Sequence, residues 1–93
     1  MAFRDKEQST ERKIGKMTVK IIDEENGLSV INNVRAVRIR DDEYVLLIME
    51  DYSATLGEVN GTIAFVTNSD EVKLDDVKGF YRLRNNEFTL ILR

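Results

Sequence analysis

The chain has 93 residues, 42% of them hydrophobic and 33% charged, with a net charge of −3 and no His, Cys, Trp or Pro. That makes one globular domain rather than a disordered chain. It also removes the commonest general base, the thiol nucleophile, any disulfide and the usual transition-metal ligands. No apolar run approaches the ~20 residues that cross a bilayer, and the start, Met1-Ala2-Phe3-Arg4-Asp5-Lys6, lacks the apolar core of a signal peptide. A cytoplasmic location is the expectation.

Charge is unevenly spread. Residues 1–20 hold six basic and three acidic groups, whereas Asp41 to Val72 holds eight acids and no base. Such a segment repels phosphate backbones and attracts basic protein surfaces, or simply forms a solvated acidic face.

Residues 1–15 are polar, lack an apolar stripe and end at Gly15. They read as a mobile N-terminal tail, with a single β domain over residues 16–93. Met17 to Ile21 alternates apolar and polar, the pattern of a half-buried strand. Asn26-Gly27 supplies residues that tolerate positive φ in a hairpin turn. Leu28 to Ile31 reads as the second strand and Asn32-Asn33 as the next break. Val34 to Arg40 changes phase, since Val34 and Ala36 point one way and Val37 and Ile39 the other; a bulge near Ala36-Val37 reconciles them. Asp41-Asp42-Glu43 turns the chain.

Tyr44 to Met49 is apolar throughout and reads as a strand buried on both faces. A helix over residues 42–56 is the alternative, because Val45, Ile48, Met49, Tyr52, Leu56 and Val59 recur at helical spacing. Leu46, Leu47 and Gly57 fit that stripe badly, and the strand is preferred. Thr62 to Thr67 follows, between the turn sequences Asn60-Gly61 and Asn68-Ser69-Asp70. Glu71 to Leu74 alternates. Gly79 to Leu83 and Phe88 to Leu92 form a hairpin across Asn85-Asn86, with Phe88, Leu90 and Leu92 on one face. The expectation is an all-β fold, a small sandwich or flattened barrel of about seven to nine short antiparallel strands.

Little in this pattern carries chemistry. Ser9, Ser29, Ser53 and Ser69 sit in no nucleophile motif, and none has a Ser-x-x-Lys spacing. Asp41-Asp42-Glu43 and Asp75-Asp76 are clustered acids without the loop spacing of a calcium hand, and the five glycines are too dispersed for a phosphate loop. The expectation is no enzyme, no metal and no cofactor. Single-stranded nucleic acid is a further alternative: Arg35, Arg38 and Arg40 lie on one segment, and Arg82 and Arg84 lie on another beside Phe80 and Tyr81. The acidic middle of the chain and a pI near 5.0 oppose it.

One resemblance emerges from the order of these pieces. Val19-Lys20-Ile21-Ile22 with Asn26-Gly27, the strand Val34 to Ile39, the apolar strand ending Ile48-Met49, and the closing hairpin from Gly79-Phe80-Tyr81-Arg82-Leu83 to Phe88-Thr89-Leu90-Ile91-Leu92 resemble the N-terminal β-sandwich domain of the F-type ATP synthase epsilon subunit. The resemblance implies a β-sandwich and a rotor-stalk partner. The sequence departs from that family where a Gly-His-Xaa-Pro-type loop is usual, and there has Glu50-Asp51-Tyr52-Ser53-Ala54. It ends at Arg93, where the family continues into a helical hairpin.

The functional expectation is therefore a non-enzymatic protein–protein interaction module, with an epsilon-like stalk subunit as the alternative. The expected contact is the loop Glu50-Asp51-Tyr52. Tyrosine there offers area with a polar tip, and the acids offer steering. The competing reading has Tyr52 closing one end of the core. An exposed edge strand would also leave room for pairing with a second copy, which the sequence does not decide.

Overall fold

A computed structural model describes residues 14–93; residues 1–13 of the expected 1–15 tail lie outside the described residues, while Gly15 is buried against the Asn33–Val34 backbone. Six strands account for most of what is described: β1 (Met17–Asp23), β2 (Gly27–Asp41), β3 (Val45–Met49), β4 (Thr55–Thr67), β5 (Glu71–Arg84) and β6 (Glu87–Leu92). They form one sheet in the order β1-β6-β5-β4-β2-β3, and β1 also pairs with β2. That extra pairing closes β1, β2, β4, β5 and β6 into a five-stranded barrel. All neighbours are antiparallel except β1 and β6, which are parallel. Alternating directions cannot close around a ring of five strands, so at least one neighbouring pair must be parallel. β3 stands outside the ring, paired with β2 alone.

The all-β expectation holds, and the segment that was ambiguous with a helix is strand β3. The strands are fewer and longer than expected, because two sequence breaks are kinks inside strands. Asn32-Asn33 lies within β2, with Asn33 in the left-handed region at φ 60°. Up to Val34 β2 pairs with β1; from Val34 on it pairs with β4 on one side, and from Ala36 on with β3 on the other. The register slips between Val34 and Ala36, one step earlier than the expected bulge. Asn60-Gly61 likewise lies within β4. A Cβ at Gly61 would collide with the Arg40 carbonyl oxygen on β2, so glycine permits the two backbones to approach. The register between β4 and β5 shifts at this same place, between Gly61 and Ile63.

Turns that do reverse the chain match the sequence. Gly27 has φ 77°, and Asn85 and Asn86 have φ 50° and 62°, the doubly left-handed pair of a tight hairpin. Inside the barrel lie Met17, Val19, Val34, Val37, Ile39, Ile63, Phe65, Leu83, Phe88 and Leu90, all fully or almost fully buried. Burial of each such side chain contributes about 1.5–3 kcal/mol. Phe88 stacks on Tyr81 at 5.5 Å between ring centroids and meets Phe65 edge-on at 6.0 Å. Phe88 and Leu90 point inward, as the alternation requires.

β3 departs from expectation in its exposure. Of its five residues only Ile48 is fully buried; Val45, Leu47 and Met49 face solvent. The strand was expected to be buried on both faces, but it lies at the end of the sheet order and covers the core with one face only. Its opposite face has no layer above it among the described residues.

Candidate functional site

The loop Glu50-Asp51-Tyr52 leaves the C-terminal end of β3 and is held in place by two distant parts of the chain. Asp51 occupies the left-handed region at φ 63°, where aspartate is tolerated better than most residues. Its backbone N–H donates to Asn86 Oδ1 at 2.7 Å, and Asn86 Nδ2 donates back to Asp51 Oδ1 at 2.9 Å. This reciprocal pair joins the loop to the β5–β6 turn. Lys16, just before β1, adds two bonds: its backbone N–H donates to Glu50 Oε2 at 2.7 Å, and its Nζ reaches Asp51 Oδ2 at 3.2 Å. The Asn86 hydrogen bond and then the Lys16 ammonium hold the Asp51 carboxyl below the ordinary aspartate range.

Tyr52 is 39% exposed and is not part of the core. Together with Asp51, Ser53, Ala54, Asn85 and Asn86 it lines a shallow surface depression. The loop thus presents two hydrogen-bonded acids beside a partly exposed aromatic ring.

A larger cleft opens at the other end of β3, among Asp41, Asp42, Glu43, Tyr44, Glu58, Asn60, Lys78 and Arg93. The side chains there serve mainly to hold the fold. Asp41 accepts the Asn60 N–H at 2.5 Å and the Glu43 N–H at 2.9 Å, fixing the β2–β3 turn against β4. The Tyr44 hydroxyl donates to the Glu58 carbonyl at 2.6 Å and sits 3.0 Å from the Tyr81 hydroxyl, which therefore donates to it. Burial, together with the Tyr81 contact, pushes the Tyr44 phenol well above its usual range. Arg93 pairs with Glu58 at 2.6 Å and lies over the Phe80 ring at 4.8 Å. Among the described residues no group of three or more acids is placed to hold a metal ion.

The arginine–aromatic set divides. Tyr81 is buried against Phe88, which leaves Phe80 as the exposed aromatic, covered by Arg93. Arg38 lies across from Ala64 and Arg82 across from Leu56, so the two arginine groups stand eight residues apart along β4. At the usual rise per residue that is about 25 Å. Arg38 is also ion-paired with Glu71. The basic residues do not line a single track.

Sequence reasoning missed two outward apolar rows. Val45, Leu47 and Met49 form one along β3. Leu28, Ile22, Ile91 and Phe80 form the other, side by side across β2, β1, β6 and β5. The alternation of β1 and β6 could have disclosed the second, because Ile22 and Ile91 fall on the face opposite Ile21 and Leu90.

The fold is thus a closed five-stranded β barrel with one appended edge strand. No family model and no curated protein matches the sequence. A solved structure is similar: a chain in the central stalk/c-ring structure of the Tetrahymena thermophila mitochondrial ATP synthase, at 16% identity and a TM-score of 0.66. The match covers 86% of this chain and 65% of that one. Identity at that level makes the likeness one of fold, and as a likeness of fold it is in keeping with the ATP synthase-related resemblance read from the sequence.

Proposed function

We propose that this chain is a non-catalytic protein-binding module whose contact surface centres on Glu50, Asp51 and Tyr52. The observation that carries this reading is the anchoring of that loop. An exposed acidic and aromatic turn is tied by four hydrogen bonds to the start of β1 and to the β5–β6 turn. Rigid presentation lowers the ordering cost of binding, and the acids steer basic surfaces toward it. The carboxylates of Asp41 and Asp51 accept backbone and side-chain hydrogen bonds that shape turns.

A rotor-stalk role, as an epsilon-like subunit of an ATP synthase, is the more specific reading. The shared fold with a chain of an ATP synthase central stalk/c-ring structure favours it. The test is affinity purification of tagged chain from its own cell lysate, at low and then moderate salt, with bound proteins identified by mass spectrometry. Recovery of stalk subunits, reduced by Tyr52→Ala, is expected. Recovery of one unrelated protein, equally sensitive to Tyr52→Ala, would retain the module and remove the stalk assignment. Recovery unaffected by loop substitutions would overturn the contact surface.

A further inference from the structure

From the free edge of β3 we infer that the chain binds its partner by strand addition: an extended segment of a partner protein, with Lys or Arg at its ends, pairs along Val45–Met49. The inference rests on the protein-binding reading and names the mode of contact.

β3 pairs with β2 on one side only, and no other described strand pairs with its outer edge. A one-sided strand leaves alternate N–H and C=O groups unpaired along its other edge, a template for a further strand. Proteins usually blunt such edges with lysine, proline, a bulge or an inward charge. Val45-Leu46-Leu47-Ile48-Met49 contains none of these, and its pairing with β2 runs without a register shift. Its outward side chains are apolar and open, with Val45 73%, Leu47 50% and Met49 49% exposed. An added strand would place its own outward residues beside this row, giving the cross-strand contacts that stabilise sheets.

Charge decides the occupant. Asp42 and Glu43 precede the strand; Glu50 and Asp51 follow it. A second copy pairing antiparallel about Leu47 would set Glu43 of each chain opposite Asp51 of the other. Parallel pairing would set each acidic end against its own counterpart. Like charges directly opposite are destabilising, so both arrangements with a second copy are disfavoured. A segment with basic ends meets acids at both. The Asp42–Glu43 end is the stronger attractor, because Lys16 already occupies Glu50 and Asp51. Arg40 lies one strand back, across from Val45, and Arg38 beside it is paired with Glu71.

The test uses the full chain and a labelled peptide of alternating Val and Thr flanked by two Lys at each end. Binding is read by fluorescence anisotropy, and amide exchange of β3 by NMR. The basic-ended peptide is expected to bind and to slow exchange at residues 45–49. A central Pro, which removes a ladder donor, is expected to weaken binding about tenfold or more, as is replacing Lys by Glu. Asp42→Lys with Glu43→Lys is expected to reverse the charge preference. Equal binding of the Pro-containing peptide would overturn strand addition. So would β3 amides already protected in the free chain, or a dimer loosened by Leu47→Lys. If Tyr52-dependent partner capture persists while the peptide leaves β3 exchange unchanged, strand addition alone falls. If partner capture is also insensitive to loop substitutions, the binding surface falls with it.

Discussion

Replacing Gly57 by Ala tests the packing of the barrel core, because the sign of its effect is diagnostic. Gly57 lies on β4 directly across from Tyr81. Its φ lies outside the left-handed region, so alanine fits the backbone, but an added methyl would collide with the Tyr81 ring. At an open site, Gly→Ala stabilises by about 0.4–1 kcal/mol through the unfolded chain. Here overpacking costs about 1–3 kcal/mol. A displaced Tyr81 also loosens its stack on Phe88 and its hydrogen bond to Tyr44, each worth about 0.5–1.5 kcal/mol. The net expectation is a loss of about 2–3 kcal/mol. For a domain of this size that lowers the melting temperature by about 10–20 °C, measurable by circular dichroism. Tyr81→Leu should cost less in the Gly57→Ala background than in the wild type, since the two changes share one space. A melting temperature that stays level or rises in Gly57→Ala would refute the account of this contact.

Other expectations follow from the same geometry. Asn86→Ala should raise the titration midpoint of the Asp51 carboxyl toward the ordinary aspartate range, near pH 4, read by NMR of the carboxyl carbon; an unchanged midpoint would remove Asn86 as its main partner. Because the folded-state value is depressed, the stability this group contributes is full above that range and is lost as pH falls through the lower native value. Tyr44 has the opposite sign of shift. Its stabilising contribution is present below the ordinary phenol range, near pH 10, and declines as pH rises beyond it. Tyr44→Phe should remove a phenol that ionises well above the ordinary range from an ultraviolet titration of the folded chain; an unchanged titration there would refute the shift. Arg38→Ala should change urea stability by less than about 1 kcal/mol, since its pair with Glu71 is largely exposed; a larger loss would mean that Arg38 supports the sheet by packing.

Local turn chemistry made much of the fold legible. Asn26-Gly27, Asn68-Ser69-Asp70 and Asn85-Asn86 each reverse the chain, and the alternation of β6 identifies its buried face. The same chemistry misled at Asn32-Asn33 and Asn60-Gly61. Residues that accept unusual backbone geometry serve equally at a turn and at a kink within a strand, and only the neighbouring strands distinguish the two. The six apolar residues from Tyr44 to Met49 suggested a central strand, but position within a sheet is a tertiary property that local pattern does not encode. At the candidate loop, residue types pointed to Glu50, Asp51 and Tyr52. The link between Asp51 and Asn86, 35 residues apart in sequence, left no local signal.

The most direct test of the binding surface is site-specific photo-cross-linking in the source cell, with the photoreactive amino acid in place of Tyr52 and, as a control, in place of Val72. The account predicts a discrete cross-linked species with one protein partner from position 52 and none from position 72. Cross-linking from position 72 with none from position 52 would contradict it and place the contact surface elsewhere on the barrel.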